Sequence, residues 1–169
     1  MPVTYRAVTV ALATALASVV LAPSAPVAAT PVTPVVEQTA KSSFESLEAE
    51  VLAEVNAARA DESLKPIKLA SPCVSRLAEK WSARIARTGV LEHRSQSVVI
   101  RRCRQSWAGE TLIRGYDLTA ESMVAAWMDS PGHRAILMSP KARLGAVAVS
   151  VDSDDRVIGV INVVRPSRR

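Results

Sequence analysis

His93 and His133 are the only imidazoles in the chain, and each stands beside chain punctuation rather than within an apolar face. Leu91-Glu92-His93-Arg94-Ser95 follows Gly89, and Ser130-Pro131-Gly132-His133-Arg134 opens with a Ser-Pro pair of the kind that starts a helix. Rings placed there can ligate a metal or accept a hydrogen bond. A third short segment, Ala108-Gly109-Glu110-Thr111, follows Trp107 and carries a carboxylate. Other chemistry has less to stand on. There is no Gly-x-Ser-x-Gly elbow, no serine is tied to either histidine by a motif, and six glycines leave little room for a phosphate-cradling loop.

The chain that must position these groups has 169 residues, enough for one domain with a real core and too few for a multidomain enzyme. Its 49% apolar content hides two regions, because Met1 to Val36 holds a single charge, Arg6, and five of the ten prolines. Arg6, the small and aliphatic run Ala7 to Ala22, and Val27-Ala28-Ala29 before Thr30 have the order of a secretory signal peptide over residues 1–29. The apolar run is too short, and too rich in Ala, Ser and Thr, for a membrane anchor. Residues 30–43 then read as a flexible leader and 44–169 as the domain. The expectation is a secreted monomer without a transmembrane segment in its mature form.

Export gives the two cysteines their meaning: in an oxidising compartment Cys73 and Cys103 can pair within the monomer in only one way, so a disulfide is expected.

Within the domain, Phe44, Leu47, Val51, Val55 and Ala58 recur at helical spacing and predict a first helix ending before Asp61. Ser71-Pro72 and Gly89 bracket a second, with Cys73 in its first turn. Thr119 starts a third that buries Met123, Val124 and Trp127, and Ser130-Pro131 starts a short fourth through Met138. Alternation from Leu144 and the Val/Ile-rich stretch Arg156 to Val164 predict a hairpin turning at Asp152–Asp155, with Trp107 to Ile113 a further strand. The fold class is α+β, a small antiparallel sheet covered by about four helices.

Four ordered motifs carry a resemblance: Asn56-Ala57-Ala58-Arg59, Leu91-Glu92-His93-Arg94-Ser95, Ala108-Gly109-Glu110-Thr111-Leu112, and Trp127 through Leu137. From about Phe44 to its end the chain resembles the bacterial branch of the CAP superfamily, which groups cysteine-rich secretory proteins, venom antigen 5 and plant pathogenesis-related proteins. The resemblance implies an α-β-α sandwich whose cleft gathers, by position, His93, Glu110 and His133. The chain departs from the family at Thr111 and Ile136, where asparagine is usual, and its last strand lacks the eukaryotic His-Tyr-Thr-Gln type motif.

Two histidines and a carboxylate are also the donors a borderline divalent metal such as zinc takes, with a fourth position left for water. His133, in the first turn of its helix, meets positive backbone potential that favours a neutral ring. The first reading is a non-catalytic extracellular binding module whose cleft takes a metal, a lipid-like molecule or a cell-envelope component. The second is a metal-dependent hydrolase or peptidase with Glu110 activating water, and the third a structural interaction domain in which the polar cluster only holds loops to the sheet. The run Arg94, Arg101, Arg102, Arg104 could meet anionic lipid or polymer, but reads first as a solvated loop; without interleaved aromatics, nucleic acid is not expected.

Overall fold

The first helix begins earlier than its apolar stripe. The computed structural model describes residues 35–168, with side chains from residue 42, and α1 runs Val35–Asp61. Residues 35–43, expected as leader, are therefore helical, while residues 1–29, expected as a signal peptide, and 30–34 lie outside the described residues. Helix α2, Pro72–Thr88, ends at Gly89 with φ 69°, the left-handed conformation expected there. Ser71 makes no side-chain cap; its carbonyl instead accepts from the amides of Val74 and Ser75.

Helix α3, Gln96–Cys103, occupies a segment read as an irregular loop. Three consecutive β-branched residues, Val98, Val99 and Ile100, hide it from propensity. Burial of Val99 and the disulfide between Cys73 and Cys103 hold it against the fold. Helix α4, Ala120–Asp129, opens on a reciprocal capping box between Thr119 and Ser122, and α5 is Pro131–Leu137. The described residues thus hold five helices rather than four.

Strands β1 (Lys68–Leu69), β2 (Gln105–Gly115), β3 (Leu144–Val151) and β4 (Val157–Pro166) form one sheet in the order β1-β3-β4-β2. β4 pairs antiparallel with β2 and β3, but β1 runs parallel to β3, so the sheet is mixed rather than antiparallel. Two residues of β1 give no readable alternation. The β3–β4 turn forms as expected, with the Asp152 carboxylate accepting from the amides of Asp154 and Arg156 at 3.0 and 3.1 Å.

β4 is buried on both faces, which is why it reads as a nearly continuous apolar run. Ile158, Val160 and Val164 pack with Val74, Ala78 and Ile85 of α2 and Val99 of α3. Ile161 and Val163 point the other way, to Val51 and Val55 of α1 and Met123, Val124 and Trp127 of α4. The sheet is thus the middle layer of an α-β-α sandwich.

The disulfide closes a separation of 30 residues that includes His93 and all of α3. Such a closure contributes roughly 3–4 kcal/mol in the chain-entropy account. Cys103→Ser is therefore expected to lower thermal stability and to expose residues 90–104 to protease; an unchanged midpoint and cleavage pattern would contradict this.

Candidate functional site

β2 is the outermost strand on its side of the sheet. Its free edge is where the two helical layers can meet without the sheet between them. The α2–α3 connection brings His93 there from one layer and α5 brings His133 from the other, their ring centroids 6.0 Å apart and the planes tilted by 55°. Glu110 stands in β2 opposite Asn162 of β4, on the face covered by α2 and α3. The structure thus brings together all three residues expected to share a cleft.

Their roles divide by exposure. The side chain of His93 is 53% exposed and that of Glu110 only 1%. Oε1 of Glu110 lies 3.1 Å from His93 Nδ1 and accepts the Arg94 amide at 3.2 Å. Oε2 accepts from Asn162 Nδ2 at 3.2 Å and faces Arg94 Nε at 3.4 Å, an ionic contact without hydrogen-bond alignment. The Arg94 guanidinium also donates to the Leu77 carbonyl at 2.7 Å and to Asn162 Oδ1. Burial pulls the Arg94 pKa down while the Glu110 carboxylate pulls it back up.

Because an ionised carboxylate only accepts, the His93–Glu110 contact calls for a proton on Nδ1, and in the neutral ring that leaves Nε2 as an acceptor. Glu110 orients His93 much as a carboxylate behind a ligating histidine does. As a third metal ligand, however, it does not fit. Both its oxygens are already occupied, and among the described residues no three His, Cys, Asp or Glu side chains converge to hold an ion. Two imidazoles alone fall short of the three protein ligands typical of a catalytic zinc.

Beside His93 lies a cavity of about 310 Å³. His93, Arg94 and Gln96 form one wall, Trp107 to Glu110 the floor, and Ile136 the far side. Gly109 makes this floor possible, since a Cβ there would meet Ile136 Cγ2 at 2.6 Å and the Trp107 ring at 3.2 Å. Ile136, where the family usually has asparagine, thus leaves an apolar flank at this cleft.

His133 has its pKa lowered, first by burial and then by the neighbouring His93. The direction agrees with the neutral ring expected from sequence, but these causes replace the helix terminus. A ring that resists protonation in the folded state leaves the unfolded chain with more bound protons just below the ordinary histidine value. Stability contributed by His133 is therefore present above that value and lost as pH falls through the folded pKa. NMR titration is expected to place His133 below an unperturbed histidine and to move it upward in His93→Ala; an unmoved or lower midpoint in the variant would contradict the pairing.

Sequence reasoning missed Arg94 and Asn162 as parts of the site. Asn162 did carry a signal, being the one polar side chain inside the apolar run Val157 to Val164. Arg94 reads in sequence with the solvated arginines after it, yet its side chain is only 7% exposed.

The profile described as CAP, cysteine-rich secretory protein family, matches residues 52–164. No curated protein matches the chain by sequence. Among solved structures, an outer surface protein of Borrelia burgdorferi is similar at TM-score 0.61 and 15% identity, over 69% of this chain and 90% of that one. A cysteine-rich secretory protein of Staphylococcus aureus matches at 0.57 and 17%, over 72% of this chain and 39% of its own. An extracellular SCP-domain protein of Bacillus anthracis matches at 0.59 and 17%, over 84% of this chain and 45% of its own. The chain therefore spans less than half the length of the last two. At these identities the likeness concerns the fold.

Proposed function

The chain belongs to the cysteine-rich secretory protein (CAP) family, and from that premise we propose that it is an exported binding module whose β2-edge cleft takes a small extracellular or cell-envelope ligand without turning it over. One observation carries this reading: Glu110 is buried and committed to Arg94, Asn162 and His93. A carboxylate so engaged is a brace, with no free oxygen to activate water, which counts against the hydrolase reading. His93 lines the cavity together with Trp107, Ala108, Gly109 and Ile136, and the His133 ring stands 6.0 Å from that of His93. That combination suits an amphipathic ligand, with an apolar part on the indole and Ile136 and a hydrogen-bonding group at the imidazoles. Export is supported by the signal-like residues 1–29 and by the outer-surface and extracellular descriptions of similar structures. No helix of the described residues is long and apolar enough to cross a membrane.

The test is a titration of the purified protein with octanoate, a muramyl dipeptide and zinc chloride, following the ring signals of both histidines and the Trp107 indole. An organic probe is expected to move all three, and the His93→Ala/His133→Ala double variant to remain folded and lose the response. Chelator-sensitive hydrolysis of a probe, or binding undiminished in the double variant, would overturn the proposal.

A further inference from the structure

We propose a second binding site, for a soluble polyanion, at the end of the sheet where β2 begins and β4 ends. A cavity of about 300 Å³ there is lined by Ser106, Trp107, Lys141, Arg165, Pro166 and Arg168. Three of these six residues are cations and none is an acid. None of the three forms an ion pair with a described residue, although surface arginines elsewhere do, such as Arg84 with Glu92 and Arg134 with Glu62. Concentrating like charge without counter-charge costs the fold energy and creates a field that an oxyanion relieves. Guanidinium forks suit phosphate and carboxylate groups in particular.

The pocket is assembled by topology. The Arg143 amide donates to the Val164 carbonyl at 3.0 Å, setting the approach to β3, and with it Lys141, beside the end of β4. The Ser106 hydroxyl donates to the carbonyls of Arg165 and Pro166 at 3.1 and 3.2 Å, so it fixes the wall and leaves the cations to meet the ligand. Arg104, which ends α3, accepts the Ser167 amide on its carbonyl. That contact brings the end of α3, where Arg101, Arg102 and Arg104 are exposed, next to the segment that carries Arg165 and Arg168. A register shift between Gln105 and Trp107 re-aims the strand there. Trp107 lines this cavity and the histidine cleft alike, so the two sites share one wall.

The occupant we infer is a linear polymer bearing closely spaced phosphate or carboxylate groups. A concave pocket with three cations and no acid in its lining, beside the arginine-rich end of α3, fits a chain of charges. A bilayer would ask for apolar side chains to insert, and the exposed large hydrophobics, Leu69, Val90, Leu91, Tyr116 and Val151, are all absent from the pocket's lining.

The experiment is calorimetric titration of the purified protein with linear polyphosphate, with orthophosphate, and with phosphatidylglycerol vesicles. Polyphosphate is expected to bind, to weaken roughly 20- to 40-fold between 50 and 200 mM salt as about three contacts would require, and to outcompete orthophosphate. Lys141→Ala/Arg165→Ala/Arg168→Ala should reduce its affinity at least tenfold at an unchanged unfolding midpoint. Arg76→Ala/Lys80→Ala/Arg87→Ala, which removes the same charge from the exposed side of α2, should change it less than threefold. His93→Ala/His133→Ala should leave it intact, which separates this site from the cleft. Equal losses in both triple variants, or vesicle binding lost in the pocket variant without polyphosphate binding, would overturn the proposal.

Discussion

Glu110→Ala is expected to lower the unfolding free energy by about 3–5 kcal/mol, the usual cost of removing one partner of a buried ion pair. The substitution leaves the Arg94 guanidinium 7% exposed and facing no carboxylate. It also takes the acceptor from the Arg94 amide, Asn162 Nδ2 and His93 Nδ1. Urea unfolding measures the loss directly. Glu110→Gln keeps one oxygen acceptor and is expected to cost less, and Glu110→Leu combined with Arg94→Leu should recover part of the loss by removing both charges. A carboxylate kept for catalysis would behave differently, since its removal would abolish turnover at little cost in stability. A change under about 1 kcal/mol would therefore contradict the bracing role.

Arg59→Ala is expected to cost a similar amount, about 3–5 kcal/mol, by stranding buried carbonyls and leaving a cavity. Arg59 is fully buried, and no acid among the described residues forms an ion pair with it. From α1 its guanidinium donates to the Lys65 carbonyl at 2.8 and 3.0 Å, to Ser139 at 3.2 Å, to Ala142 at 3.4 Å, and to Leu137. One side chain therefore ties three backbone segments together. Asn56, one turn earlier, clasps Ile67 through both its amide and its carbonyl. These contacts give the Asn56-Ala57-Ala58-Arg59 motif a structural meaning: it fixes the end of α5, which carries His133, and the 137–142 connection, which carries Lys141. Arg59→Lys keeps the charge but has no fork to span the carbonyls, so it should recover little. Equilibrium unfolding checks both variants, and a loss below about 1 kcal/mol for Arg59→Ala would contradict the clasp.

What the sequence reveals tracks how local the determining signal is. α2 is legible at both ends because Pro72 and Gly89 act through their own backbone preferences. The β3–β4 hairpin is legible because the Asp152 cluster can only turn. α3 is not, since eight residues with three β-branched side chains become helical only when a disulfide and the buried Val99 hold them. In the cleft, the histidines and Glu110 emerge from ordered motifs, but their division of labour does not. Burial makes Glu110 a brace, and burial depends on Arg94 and Asn162 arriving from separate elements. The basic pocket lies further from reach, because Lys141, Arg165 and Arg168 are neighbours only through strand pairing.

In the function proposed above, the two imidazoles form the contact face of a binding cleft while Glu110 only holds it in shape. Long-range ¹H–¹⁵N spectra of the histidine rings, recorded as muramyl dipeptide and octanoate are added, test this most directly. The prediction is that one of these probes shifts His93 Nε2 and the His133 ring together, with His93 Nδ1 remaining protonated against Glu110 throughout. Ring signals that stay unmoved while a probe binds elsewhere, or a His93 Nδ1 that loses its proton on binding, would contradict it.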